Sequence, residues 1–349
     1  MPGFESLINQ ERPIRILTTL LQNGTLPHAF LFTGTAGVGK QAAADALAMA
    51  CNCQGGVPEF HTEDRSDQDP ANSTGAINPI SVNACGICKS CKKIASGNHP
   101  DIVRIKPVGP FIKIDQIRAL RQTLSMKPYE AIMRVAILSE AQAMNAAASN
   151  ALLKILEEPP HRSMLVLIAN QKSDLLPTIV SRCQHVGFNP IPKEIIAEWL
   201  ENKHGLGPTV AGVLAAMANG SFSKAQTMMR DNWLQHRKWV IDEMNCLSLQ
   251  PIARLLALAE KLSKPEGNLA ESLEIIKVWF RDLVVSRYDI TKIINRDVAD
   301  KVENASRKTN LSELLLKVDA VQRTQNRLAA NTNLRLSLES LLIQLAQFS

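Results

Sequence analysis

The residues most able to do chemistry begin with Gly34-Thr35-Ala36-Gly37-Val38-Gly39-Lys40-Gln41, directly after the apolar run Ala29-Phe30-Leu31-Phe32. A glycine-rich turn between a strand and a helix aims backbone N–H groups at one point, where they can cradle phosphate. Such turns also serve plain strand–helix packing, but G-x-x-x-x-G-K after an apolar strand is specific for a nucleotide loop. The last position of the pattern fails, because Gln41 stands where a Ser or Thr hydroxyl would ligate magnesium. A second lesion follows the run Val135-Ala136-Ile137-Leu138. There Ser139 stands where an Asp would hold magnesium through water, while Glu140 remains where a base would orient the attacking water. A base without a metal-bound phosphate has little to act on. Gly34, Gly37, Gly39 and Lys40 are therefore expected to form a degenerate phosphate loop, with Glu140 beside it and the Mg2+ site lost. No ATP hydrolysis by the chain is expected, ATP binding is in doubt, and metal-independent phosphate binding through Lys40 and the loop amides stays open.

The second chemical signal is Cys85-x2-Cys88-x2-Cys91, three of seven cysteines in the chain. Three thiolates in one turn-rich segment lie close enough to share a tetrahedral ion. A fourth ligand must come from elsewhere: Cys51 or Cys53, at the end of the helix after the phosphate loop, with His61 and His99 as fallbacks. Nothing implies an open coordination position, so the expectation is structural Zn2+. Cys183 and Cys246 read as small buried apolar residues, since no activating base is near either in sequence. Ser181-Arg182-Cys183 is a weak signal alone.

These residues need elements to hold them. Runs at 29–32, 101–105, 134–138 and 164–169 predict buried strands, alternating with helical spacing at 41–50, 114–125 and 145–158. Apolar positions from Leu7 to Leu21 add an opening helix with Pro13 near its start. The alternation predicts βαβ units and a parallel sheet over residues 25–188. Residues 54–84 differ in texture, rich in Gly, Pro, Ser, Asn and Asp, with five acidic residues against one Arg. They are expected to be a disordered insertion. Beyond Pro192 the pattern is helical, ending in a stripe of Leu334, Leu338, Leu341, Leu342 and Leu345. The 349 residues suffice for two or three domains, and the net charge of +6 permits contact with nucleic acid without demanding it. No apolar run approaches the ~20 residues of a membrane helix, and the N-terminus lacks a signal-peptide pattern. The cytoplasm is the expected location.

The order of these motifs resembles the bacterial clamp-loader family, the AAA+ subunits of the DNA polymerase III holoenzyme. The resemblance is carried by Gly-x4-Gly-Lys, the three-Cys module, Asn150-Ala151-Leu152-Leu153-Lys154-Ile155-Leu156-Glu157-Glu158-Pro159-Pro160 and Ser181-Arg182-Cys183. Near the C-terminus, Asn331-Thr332-Asn333-Leu334-Arg335-Leu336-Ser337-Leu338-Glu339 is similar to the end of the family's collar domain. The fold class this implies is an α/β AAA+ (P-loop NTPase-like) domain with an inserted zinc module, then a small helical lid and an all-helical collar. The implied boundaries are 1–188 with the module at about 51–97, 189–231, and 232–349. Family spacing from the loop Lys favours Cys53 over Cys51 as fourth ligand. In such assemblies ATP sits between subunits, and the Arg of Ser-Arg-Cys reaches the γ-phosphate bound by its neighbour. Arg182 would then be an arginine finger supplied in trans. Lys154, Glu157 and Glu158 would share that face, with no individual roles legible.

Motor subunits of the family carry Thr after the loop Lys, Asp-Glu at the strand end, and an Arg after Gly-Ser in the lid. Here those positions hold Gln41, Ser139-Glu140 and Ser223, while Asn170 aligns with the polar sensor residue. The three losses agree, and they point to the family's catalytically silent stator. The implied partners are gamma/tau and delta subunits, a sliding clamp, and primed DNA through sequence-independent backbone contacts. Two rival readings are an active clamp-loader ATPase and a zinc-dependent nucleic-acid-binding module. Against the latter, residues 85–97 hold no aromatic residue and no basic run beyond Lys89, Lys92 and Lys93.

Overall fold

Five short strands, all paired parallel, carry the first half of the chain in a computed structural model describing residues 3–55, 84–230, 232–264, 269–329 and 333–347. Most of the acidic insertion, His61, and the Asn331-Thr332 pair lie outside the described residues. The strands are β1 (Ala29–Thr33), β2 (Ile102–Ile105), β3 (Arg134–Leu138), β4 (Ser163–Ala169) and β5 (Gln184–Gly187), in the order β2-β3-β4-β1-β5. Leu31 lies opposite Leu167, and Ile137 opposite Val166.

Alternate side chains enter two cores. Phe30, Phe32, Val135, Ile137 and Val166 pack with Leu17, Leu21 and Leu47 on one face. Leu31, Leu138 and Leu167 pack with Ile117, Leu120, Leu152 and Ile179 on the other. Helices α1 (Glu11–Gln22) and α2 (Lys40–Asn52), with the short α3 (Lys89–Ala95), contribute to the first core. Helices α4 (Ile114–Ser125), α5 (Ala146–Glu157) and α6 (Pro177–Val180) contribute to the second. Burial on both faces explains why these strands read as continuous apolar runs. β5 differs: it pairs on one side only and buries Val186 alone, so Gln184 and His185 break any apolar signal.

Because the sheet is parallel, the loops after β1, β3 and β4 leave one edge, and Gly34, Ser139 and Asn170 meet there. α2 starts at that edge and runs ~20 Å back to the other, at 1.5 Å per residue. Its last residue is pinned there. The Asn52 amide accepts from Met133 N at 2.9 Å and donates to Met133 O at 3.0 Å.

A buried ion pair fixes the entry to β3. Asp101 is fully buried and Arg134 nearly so, with Nη2 2.7 Å from Oδ1. Asp101 also accepts from the backbone N–H groups of Tyr129, Glu130 and Ala131, while Arg134 donates to the carbonyls of Thr123, Met126 and Lys127. Burial alone would push the Asp101 carboxyl up; the N–H groups of Glu130 and Tyr129 and the Arg134 guanidinium override it and hold it at about 2. A depressed carboxylate pKa stabilises the fold above the unfolded value of 3.8 and ceases to as pH falls towards 2. We expect the loss to begin below about pH 4 in denaturation midpoints. Asp101→Asn leaves the guanidinium buried without its counter-charge and should cost about 3–5 kcal/mol at pH 7 by urea unfolding. A cost under about 1 kcal/mol would show the pair to be dispensable.

The chain divides into two compact units, Met1–Pro192 with Gly220–Ser223, and Lys193–Asn219 with Lys224–Ser349. The second unit is helical. It contains α7 (Lys193–His204), α8 (Pro208–Ala218), most of α9 (Phe222–Arg230), α10 (Trp233–Asn245), α11 (Ile252–Ser263), α12 (Leu269–Ser286), α13 (Ala299–Lys308), α14 (Leu311–Ala329) and α15 (Leu334–Gln347). Trp233, Trp279 and Phe280 are buried in it, as are Leu338, Leu341, Leu342 and Leu345 of the expected stripe; Leu334, the first of that stripe, is exposed. Among the described residues no helix is long and apolar enough to cross a membrane.

Candidate functional site

The phosphate loop is built, and it is closed on itself. Gly34, Gly37 and Gly39 have φ of 141°, 79° and 104°, a region side chains rarely enter, so glycine is needed for the turn. Space demands it too. A Cβ on Gly34 would lie 2.5 Å from Phe188 O, and one on Gly37 2.1 Å from Ser221 Oγ and 2.9 Å from Ser223 Cβ. Gly34 N donates to Asn170 O at 2.9 Å, so Asn170 stands beside the loop as expected from its strand end.

Lys40 is buried, and its ammonium turns onto the loop's own carbonyls, donating to Gly34 O and, at 2.8 Å, to Thr35 O. Burial pushes its pKa down to about 8, which leaves it mainly charged at pH 7. The two residues that depart from the nucleotide-loop pattern meet directly: Ser139 Oγ donates to Gln41 Oε1 at 2.8 Å. Glu140 is exposed with φ 54°, and its carboxylate has no hydrogen-bond partner among the described residues. Gly37 of the loop lies against Ser221 and Ser223. Ser223 was singled out by the resemblance, which implies an Arg at that position in motor subunits; Ser221 was not, because Gly220-Ser221 reads as a plain helix break.

The cysteines form a second centre, at the other end of α2. Cys53 ends that helix in extended backbone, Cys85 follows the insertion, Cys88 caps α3, and Cys91 lies within it. Their four sulfurs all lie within 4.8 Å of one another. Cys85 N points at Cys53 Sγ (3.3 Å), Cys88 N at Cys85 Sγ (3.4 Å) and Cys91 N at Cys88 Sγ (3.4 Å). The N–H groups of Cys88 and then Ile87 hold the exposed Cys85 thiol at about 6. Burial pushes Cys91 up. A tetrahedron with Zn–S bonds of 2.3 Å needs sulfurs about 3.8 Å apart, so a small contraction would seat the ion. Four thiolates suit a closed structural zinc site.

Cys51 is outside the cluster. It is fully buried in the core, where desolvation pushes its thiol up to about 12. His99 is also committed elsewhere, its Nδ1 accepting from Asp101 N at 3.2 Å and its Nε2 3.3 Å from Ser90 Oγ.

Arg182 follows α6 and is held by two contacts: Nη1 donates to Thr178 O at 3.0 Å, and Nη2 lies 3.0 Å from Glu157 Oε1. Its side chain remains 38% exposed, so the guanidinium is ordered yet reachable. Cys183 is half-buried, with its thiol pushed up to about 12 by burial, unsuited to nucleophilic attack. Cys246 departs from expectation. It is exposed because α10 stops at Asn245 and leaves Cys246 as the cap.

Two family models match the chain, "DNA polymerase III, delta subunit" over residues 9–192 and "DNA polymerase III, delta subunit, C terminal" over 231–347. The chain is 29% identical to the DNA polymerase III subunit delta' of Bacillus subtilis, over 97% of this chain and 96% of that one. It is 31% identical to the subunit delta' of Pseudomonas aeruginosa, over 91% and 92%. The DNA polymerase III subunit tau of Escherichia coli is 29% identical over 64% of this chain and 32% of its own.

Proposed function

The chain belongs to the DNA polymerase III delta'-subunit family, and from that premise we propose that it serves clamp loading as a stator, without turning over ATP itself. The observation that carries this reading is the Ser139–Gln41 hydrogen bond. The two groups that should share a magnesium ion bond to each other instead. Lys40 is spent on carbonyl oxygens, and Ser221 and Ser223 lie against Gly37 of the loop. A nucleotide would have to break each of these contacts without a metal to compensate.

The chemistry served is then a neighbour's. In an assembly with gamma/tau and delta subunits, Arg182 would approach the γ-phosphate bound by the adjacent subunit and stabilise charge developing on its oxygens. The helical segments 189–231 and 232–349 act as lid and collar, the collar joining the subunits. Cys53, Cys85, Cys88 and Cys91 hold structural Zn2+, which ties α3 to the end of α2. Contacts with the sliding clamp and with primed DNA belong to the assembled complex, the latter through phosphates rather than bases.

The test is reconstitution with gamma/tau, delta, clamp and primed DNA, comparing Arg182→Ala with Lys40→Ala. The stator reading expects ATP turnover to collapse with the first and to change less than about twofold with the second. Loss with Lys40→Ala alone would overturn it.

A further inference from the structure

We propose that Glu157 is a positioning residue for Arg182, holding the guanidinium in the orientation in which it meets the neighbour's phosphate. The inference rests on the finger reading above and adds a residue to it. Glu157 is the last residue of α5, where a negative charge faces the negative end of the helix dipole. Helix stability therefore does not account for an acid here; Lys154, in the same turn, is the residue that suits that end. What Glu157 does have is Arg182, with Oε1 3.0 Å from Nη2.

Both partners are anchored by one core. Leu152, Ile155 and Leu156 of α5 are buried with Ile179 of α6, three residues before Arg182. Arg182 N donates to Ile179 O at 3.1 Å, and its Nη1 to Thr178 O at 3.0 Å. A hydrogen bond at Nη1 and an ion pair at Nη2, both from residues on this core's helices, restrain the guanidinium. Among the described residues its guanidinium donates one hydrogen bond, from Nη1 to Thr178 O, and pairs with Glu157 by charge at Nη2, so most of its five N–H groups stay available. Left to itself an arginine this exposed samples many rotamers, and a finger that must be ordered during the reaction adds that loss to the barrier. Glu157 removes the loss beforehand.

The test is a double-mutant cycle in the reconstituted loader, read as steady-state ATPase with clamp and primed DNA. Glu157→Ala should lower kcat about three- to fivefold with KM for ATP unchanged. Glu157→Gln keeps the shape without the charge and should lose about as much, because the contact is an ion pair. In the Arg182→Ala background, Glu157→Ala should cause no further loss. Equal losses in both backgrounds would overturn the proposal, as would a rise in kcat on Glu157→Ala, which would make the pair a restraint. If Arg182→Ala itself leaves ATPase intact, the finger reading fails. If Arg182→Ala is inactive and Glu157→Ala is normal, only the present inference fails.

Discussion

Arg182→Ala in the reconstituted complex should lower ATP turnover at the neighbouring site by about 10³-fold, at the low end of what arginine fingers supply. That is roughly 4 kcal/mol of transition-state stabilisation. The argument starts from charge. As the γ-phosphoryl group transfers, negative charge spreads over its oxygens in a site from which water is excluded. A planar cation placed there beforehand acts without reorganisation. Arg182 has the required features in the isolated chain: an exposed guanidinium, a hydrogen bond and an ion pair that restrain it, and unused N–H groups. Arg182→Lys keeps the charge but loses the fork and the two-point support, so recovery should be partial. Neither variant should unfold the chain. The pair with Glu157 is half-exposed and contributes under about 1 kcal/mol. Normal assembly, checked by size-exclusion chromatography, with lost turnover separates a missing finger from a missing subunit.

How much of this was legible beforehand follows from how local each signal is. The phosphate loop was readable because its glycines, its Lys and its preceding strand are contiguous, and each is demanded by local geometry. The lesion at Gln41 was readable for the same reason. That Ser139 bonds to it was not, since 98 residues separate the two and only the parallel order β3-β4-β1 brings their loops together. Ser221 was invisible because its place against Gly37 depends on the chain returning to the loop after two further helices. Spacing alone left Cys51 and Cys53 as alternatives. The helix decides between them: Cys51 is on a buried turn of α2, whereas Cys53 leaves the helix in extended backbone with its sulfur near Cys85. The strand at Gln184–Gly187 and the exposure of Cys246 were missed where an edge and a helix end replaced an expected interior.

Removing one zinc ligand should have the second large effect, confined to the end of α2. Cys88→Ser takes away the sulfur that caps α3 and one of four thiolates within 4.8 Å of each other. A serine hydroxyl is a poor zinc ligand at neutral pH. Structural zinc sites bind with about 10–16 kcal/mol, so losing one ligand leaves a site that dialysis against a chelator should empty. Elemental analysis should find one zinc per wild-type chain and close to none in the variant. The sheet should survive. Ile94, Leu47 and the Asn52–Met133 hydrogen bonds belong to the core and do not need the metal. Hydrogen exchange should therefore rise in residues 84–97 and stay unchanged in β1, β3 and β4. Cys51→Ala is the matched control. It removes a buried sulfur outside the cluster, should lower stability by about 1 kcal/mol for the lost packing, and should retain the zinc. Wild-type chain purified without metal chelators yet containing no zinc would end the assignment, as would equal zinc loss in both variants.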